Sequence, residues 1–277
     1  MQSANIKMQN DNAKIKEFRK VVLDHYAKHS RNTLPWRRTA DPYRIMVSEV
    51  MLQQTQVSRV IEKYKSFLGK FPTVRALAKA PLSGVLKVWS GLGYNRRAKY
   101  LHDAARIIVE KHSGNVPLLY SELVELPGIG PYTASAIRVF AFNEPDVLIE
   151  TNVRTVYIHH FLRHLPYVSD HDIKEYAERT AKGQDPRKWH WALMDYGAHL
   201  KRSGVRNNHH STHYAKQSKF EGSIRQVRGA ILRTLQNGQK TQENLMMEIR
   251  SPSLKKGLAG LTRDGLIVKE KRGWRIA

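Results

Sequence analysis

The chain has 277 residues, 41% of them hydrophobic, and 47 Lys plus Arg against 24 Asp plus Glu give a formal net charge of +23. That length supports a sizeable core in one or two domains. A basic excess spread along the whole chain suits a polyanion, with nucleic acid ahead of a membrane surface because no lipidation motif or basic amphipathic anchor is evident. Cysteine is absent, which excludes disulfides, thiolate zinc sites, thiol catalysis and a Cys-held iron–sulfur cluster. No apolar run approaches a membrane span and no signal peptide opens the chain, so an intracellular protein of the cytoplasm or nucleoid is expected.

Residues 1–13 are polar and read as a flexible N-terminus. Ile15, Phe18, Val21, Val22 and Tyr26 then keep a helical period. Leu34-Pro35-Trp36-Arg37-Arg38 is Pro-pinned and non-helical; Trp36 reads as core filler or, with Arg37, as a stacking face and donor fork for a base. Asp41-Pro42-Tyr43 opens the next helix, apolar from Ile45 to Phe67, whose first half contains Ser48-Glu49-Val50-Met51-Leu52-Gln53-Gln54-Thr55-Gln56. Its polar run Gln53 to Gln56 suggests that a helix end meets a polar surface or ligand. Pro72 to Val88 reads as two short helices. In Trp89-Ser90-Gly91-Leu92-Gly93-Tyr94-Asn95-Arg96-Arg97, two glycines flank Leu92 and release Tyr94 ahead of paired arginines. This suits a loop that wedges into a base stack while Arg96, Arg97 and Lys99 meet phosphates; the alternative is a structural turn before a solvated basic helix.

Leu126-Pro127-Gly128-Ile129-Gly130-Pro131-Tyr132-Thr133-Ala134 reads as helix, tight turn, helix, with Pro131 in the first turn of the second helix. Gly128 and Gly130 can take positive φ and bring bare N–H groups toward an anion such as phosphate; an ordinary αα-hairpin is the plain alternative.

Two carboxylates draw notice. Glu49, set among Val47, Val50 and Leu52, is expensive to bury, and desolvation would raise its pKa toward that of a general acid; otherwise it faces solvent. Glu150 follows the apolar run Val147-Leu148-Ile149 at the mouth of a helix that Thr151 or Asn152 would cap. An acid and a stabilising carboxylate are the pair that breaks a glycosidic bond through an oxocarbenium-like transition state. The helix Trp189 to Ala198 contains Asp195, paired with Arg37 or bonded locally. His159, His160 and His164, and His209, His210 and His213, lack a carboxylate or Cys at ligand spacing, so they read as polar-surface or phosphate-facing histidines and no metal site is assigned. Residues 203–222 form a basic linker or a loosely docked strap, and three short helices followed by alternation around Lys271-Arg272-Gly273 make 223–277 winged-helix-like, a module of the helix-turn-helix kind that binds duplex DNA.

From about Leu34 to Ala198 the chain resembles the helix-hairpin-helix (HhH-GPD) DNA glycosylases, most of all adenine glycosylases of the MutY type. The runs that carry the likeness are Leu34-Pro35-Trp36-Arg37, Ser48 to Val57, Gly91-Leu92-Gly93-Tyr94, Leu126 to Thr133, Asn152-Val153 and Asp195-Tyr196-Gly197-Ala198. The resemblance implies a mainly α, two-lobed fold with a small C-terminal α+β domain. Its core would span 14–202, with a six-helix lobe of about 42–144 and a second lobe from 14–41 plus 145–202. It implies a monomer on double-stranded DNA with the target base flipped out, and a hairpin gripping phosphate, often with a monovalent cation on its carbonyls. Carried over by position, Glu49 protonates the departing adenine and helps activate water, and Asn152 and Glu150 belong to the catalytic set. Trp36, Arg37, Leu52 and Asp195 line the base pocket; Gln54, Thr55, Leu92 and Tyr94 probe the gap opposite the lifted base. Tyr132 stands where lyase members place a Schiff-base lysine, implying base removal without strand cutting.

Three departures accompany the resemblance. The family aspartate is Glu150, with Thr151 in place of the usual glycine; the four-Cys cluster loop is replaced by the strap near Lys201 to Lys219; and the 8-oxoguanine-recognising C-terminal domain is replaced by the winged-helix-like tail. The expected activity is removal of adenine mispaired with guanine or 8-oxoguanine. The alternatives are a thymine or uracil mismatch glycosylase, and a non-catalytic protein that binds lesions or unusual DNA structure.

Overall fold

The computed structural model describes the backbone of residues 2–214 and 219–277, and side chains from Asn12 onward. By its contacts the chain forms two compact units: residues 1–40 with 134–216, and residues 41–133 with 217–277. The dividing point falls at Thr133–Ala134, about ten residues before the lobe boundary expected from the sequence. The C-terminal segment clusters with the second unit.

In the first unit, α1 (Gln2–His29) begins at Gln2, so the frayed tail expected over 1–13 is instead helix as far as it is described. No Gly or Pro interrupts residues 2–13, and residues such as Ala, Lys, Gln and Met favour the helix. α9 (Thr151–Tyr157), α10 (Asp170–Ala181) and α11 (Pro186–Arg202) complete the unit with the ends of the chain segments that join them. Phe18, Val22 and Tyr26 of α1 share one core with Val153, Val156 and Tyr157 of α9 and with Trp189, Leu193 and Tyr196 of α11. Pro186 at the first helical position and Asp185, whose side chain accepts the Lys188 N–H, start α11 three residues ahead of Trp189, where the sequence reading opens it. Ser169 and Asp172 close a reciprocal capping box on α10.

The strap after α11 is docked. Asn207 Nδ2 donates to Thr155 O at 3.0 Å, Thr155 Oγ1 donates to Asn208 Oδ1 at 2.9 Å, and Ser211 bridges to Val168. Of the two readings of 203–222, the docked strap holds for 207–213: Asn207 and Asn208 meet α9 through their side chains, while His210 O and the Thr212 N–H pair with Val168; residues 215–218 lie outside the described ones. Among the described residues no group of three or more His, Asp or Glu is arranged to hold a metal ion.

In the second unit, the apolar stretch 45–67 splits into α2 (Pro42–Leu52) and α3 (Val57–Lys70) at the polar run Gln53 to Gln56. α4 (Val74–Lys79) and α5 (Leu82–Trp89) are the two short helices expected, followed by α6 (Arg96–Lys111) and α7 (Tyr120–Glu125). Phe67, Leu77, Trp89, Leu101, Ile108 and Leu123 are fully buried, and Phe67 meets Trp89 edge-on at 6.0 Å. α8 (Pro131–Ile137) begins in this unit and continues as a π-helical turn, Arg138–Phe142.

The tail forms α12 (Ile224–Leu235), α13 (Gln242–Ile249), α14 (Leu254–Arg263) and the antiparallel pair β1 (Ile267–Glu270) and β2 (Gly273–Ile276), with Ile267 opposite Ile276. Lys240 adds a bridge to Trp274. Gly257 has no room for a side chain: a Cβ there would lie 2.8 Å from Ile231 Cδ1. No described helix is long and apolar enough to cross a membrane.

Two histidines of the first unit shape the acid side of stability. His190 is 2% exposed and its Nε2 lies 3.0 Å from Asp146 O; burial pushes its pKa down to about 4 against the hydrogen bond it donates to that carbonyl. His160, packed on Phe18 and 3.0 Å from Tyr196 Oη, is pushed to about 4 by burial and by the charges of His159 and Lys14. The folded state therefore binds these protons less tightly than the unfolded chain, whose ordinary value is 6.5. Stability from these groups is full above about pH 6.5 and is lost as pH falls through about 4. Urea unfolding across this range is expected to show that decline, and His190→Gln to flatten it.

Candidate active site

Glu49 lies in α2, one helical turn before Gln53, and is 8% exposed. Glu49 and Asp195 are the only buried carboxylates among the described residues. The end of the Glu49 helix is held by Arg97. Its Nη1 donates to Val50 O at 2.7 Å, Met51 O at 2.9 Å and Gln53 O at 2.7 Å; its Nη2 donates to Thr55 Oγ1 at 3.0 Å and to Leu92 O and Gly93 O at 3.3 Å. These are the carbonyls a helix leaves unsatisfied at its C-terminus, plus those of the glycine loop. Arg97 also stacks between Trp89 and Tyr94, at 5.3 and 5.5 Å, and burial lowers its pKa to about 10, which still leaves it charged at neutral pH.

Arg97 is thus corrected from a phosphate contact to an internal clasp. Leu92 is corrected too: at 3% exposure it packs inward and is not a free wedge tip. Tyr94 is the half-exposed residue of the loop, in the left-handed region at φ 47°, as is the exposed Gln54 at φ 53°. Arg225, at the start of α12, donates to Tyr94 Oη at 2.7 Å and stacks on its ring at 5.4 Å. Arg96 is exposed, 3.6 Å from Asp264 and stacked on Tyr100. Sequence reading missed Arg225; no spacing signal links it to residue 94.

The hairpin between α7 and α8 closes with Ile129 N–H on Leu126 O at 3.1 Å. Gly128 sits at φ 77°, and a Cβ there would lie 2.8 Å from Tyr100 Cβ. Gly130 departs from expectation: its φ is not positive, it is exposed, and nothing lies within 4 Å of an added Cβ. Tyr132 is half-buried in the first turn of α8. Gln53 Nε2 donates to Thr133 Oγ1 at 3.1 Å, tying the end of α2 to that helix.

In the first unit Asp195 is saturated. Arg37 forks onto both oxygens at 2.7 and 2.9 Å; Arg31 adds its Nε to Oδ1 and its backbone N–H to Oδ2 at 3.0 Å. Burial alone would raise the Asp195 pKa, but the hydrogen bonds and charge of Arg37 and Arg31 hold it below the usual carboxylate range. A carboxylate offers about four acceptor sites, and all are filled from within. Asp195 is therefore corrected from a base contact to a clamp that sets Arg37, whose other face lies 5.4 Å from the Trp191 ring. Trp36 is 6% exposed beside it in the turn Pro35–Arg37.

Glu150 is itself the cap of α9, where Thr151 or Asn152 was expected to be. Its Oε1 accepts the Val153 N–H at 3.1 Å and its Oε2 accepts Asn152 Nδ2 at 3.3 Å. Thr151 is exposed, and Asn152 Oδ1 accepts Lys201 Nζ at 2.9 Å. A glutamate reaches the cap position because its extended backbone, φ −126°, turns the longer side chain back over the first turn.

These arrangements belong to a known class. A family profile described as HhH-GPD superfamily base excision DNA repair protein matches residues 47–184, and the chain belongs to that superfamily. It is similar to the adenine DNA glycosylase of Mycolicibacterium smegmatis, with 33% identity over 275 residues that cover 91% of this chain and 94% of that protein. With the adenine DNA glycosylase of Buchnera aphidicola subsp. Baizongia pistaciae it shares 37% identity over 185 residues, covering 65% of this chain and 52% of that protein. It therefore spans about half the length of the Buchnera relative. Among solved structures, a thermostable thymine-DNA glycosylase superposes with a TM-score of 0.63 at 29% identity, covering 68% of this chain and 88% of that one.

Asp195→Asn removes the counter-charge of two guanidinium groups. Breaking a buried pair in this way costs about 3 kcal/mol or more, so thermal unfolding should start about 10 °C lower; calorimetry checks it.

Proposed function

We propose that this protein is a monofunctional DNA glycosylase that hydrolyses the N-glycosidic bond of adenine mispaired with guanine or 8-oxoguanine in duplex DNA. The single observation that carries the reading is Glu49, a carboxylate 8% exposed on a helix whose end a buried arginine fixes. A carboxyl group held in place and largely out of water is what a general acid requires. In the proposed reaction Glu49 protonates the departing base as the bond to C1′ breaks with its electrons going to the base. Glu150 stabilises the oxocarbenium-like sugar, and water adds at C1′ as its proton passes to the Glu49 carboxylate left by the first step. With Tyr132 where a lysine would form a Schiff base, the strand is left uncut.

The adenine assignment is supported by the adenine DNA glycosylases among the relatives, which include one aligned over 91% of this chain. A second reading, thymine or uracil opposite guanine, is favoured by the likeness to a thymine-DNA glycosylase. The protein acts as a monomer in either reading. Gly128 and Gly130 offer exposed backbone N–H groups to a phosphate, and the same open cradle suits a monovalent cation. The tail adds a second duplex contact through its basic turn Lys271-Arg272.

Duplexes differing only in one mispair, treated with alkali after incubation, test the assignment. Cleavage at adenine opposite guanine or 8-oxoguanine, and strands intact without alkali, are expected. Cleavage confined to thymine or uracil mispairs establishes the second reading, and none anywhere leaves a binding protein. For the hairpin, Gly130→Ala is expected to fold normally yet bind DNA about tenfold more weakly by fluorescence anisotropy, the added methyl standing where the phosphate approaches. Gly128→Ala should lower the melting temperature, because the side chain meets Tyr100 and strains the backbone.

A further inference from the structure

α11 approaches the start of α9 at Gly197, where a Cβ would stand 2.3 Å from Asn152 O. Only glycine permits that approach. Lys201 lies four residues on, hence on the same face of α11 and one turn along. It is aimed at the first turn of α9, and its Nζ donates to Asn152 Oδ1 at 2.9 Å while Asn152 Nδ2 donates to Glu150 Oε2 at 3.3 Å.

We propose that Lys201 is a positioning residue that acts through Asn152 to orient the Glu150 carboxylate; the inference rests on the reading of Glu150 as the stabilising carboxylate. An ammonium only donates and a carboxylate only accepts, so the amide between them has one orientation, oxygen to Lys201 and nitrogen to Glu150. With Oε1 on the Val153 N–H and Oε2 on Asn152, both oxygens of Glu150 are fixed. This answers the extra methylene of Glu150: its additional rotatable bond is frozen by a second hydrogen bond whose partner is locked by a cation. Lys201 is half-buried; burial lowers its pKa, and the nearby Glu150 charge opposes that shift only in part.

The test compares wild type, Lys201→Met, Asn152→Ala and the double variant in single-turnover base release from the duplex that the wild type cleaves, together with DNA affinity and melting temperature. Displacement of a reacting group by roughly 1 Å costs about a hundredfold, so Lys201→Met should slow release between about tenfold and a hundredfold with affinity within twofold. The double variant should be no slower than Asn152→Ala alone, and Lys201→Arg should recover part of the rate. Wild-type release by Lys201→Met, or losses that multiply in the double variant, overturns the inference. The ¹⁵N resonance of the Asn152 side-chain amide reports the same chain without substrate or turnover. It should move in Lys201→Met and in Lys201→Gln, the latter a smaller change should the former unfold; an unmoved resonance also overturns the inference. Absence of any base release by the wild type would instead overturn the proposed function.

Discussion

A guanidinium buried to 9% exposure organises the second unit. Arg97 takes the free carbonyls at the end of α2 and those of Leu92 and Gly93 in one fork. Each buried acceptor left unsatisfied would cost about 1–3 kcal/mol, so neither the helix end nor the loop can move away from Arg97 alone. The helix that carries Glu49 and the loop that presents Tyr94 are therefore parts of one rigid cluster. Through Gln53 and Thr133 the start of α8 joins it as well. An acid that must meet a reacting atom gains from such a frame, because its backbone has no slack.

The first unit reverses the signs. There the hub is a carboxylate, Asp195, and the spokes are Arg31 and Arg37. Glu150 is held by a backbone N–H and by Asn152. Part of the basic complement is held on internal partners without reducing the net excess: Arg37 on Asp195, Arg138 on Asp146 and Arg154 on Asp170, while Arg97 meets backbone carbonyls. Arg96, Tyr94 and Gly130 remain outward. The C-terminal tail bears on this through Arg225, which clasps Tyr94 from outside the segment the resemblance covers.

Which features were legible follows from the range of the forces involved. Helix starts set by Pro42, Pro131 and Pro186 and by the caps Asp41 and Asp185 are local, and the sequence displays them. The burial of Glu49 was legible for the same reason, since Ile45, Met46, Val50 and Met51 surround it within two helical turns. The pairing of Asp195 with Arg37 was legible too; the roles of Arg97 and Leu92 were not. Whether an arginine beside a glycine loop meets phosphate or carbonyl oxygen depends on residues more than forty positions away, and side-chain type is the same in both cases. Glu150 was misread for a smaller reason: glutamate is not among the usual capping residues, and only its extended backbone lets it serve.

The comparison of Glu49→Gln with wild type most directly tests the central claim, that a buried acid on α2 removes the base. The variant keeps the volume and loses the transferable proton. Single-turnover release of adenine from a duplex with one adenine opposite 8-oxoguanine should fall by a factor of about a hundred to ten thousand, while affinity for the same duplex stays within a few-fold. Release by Glu49→Gln at the wild-type rate would contradict the account.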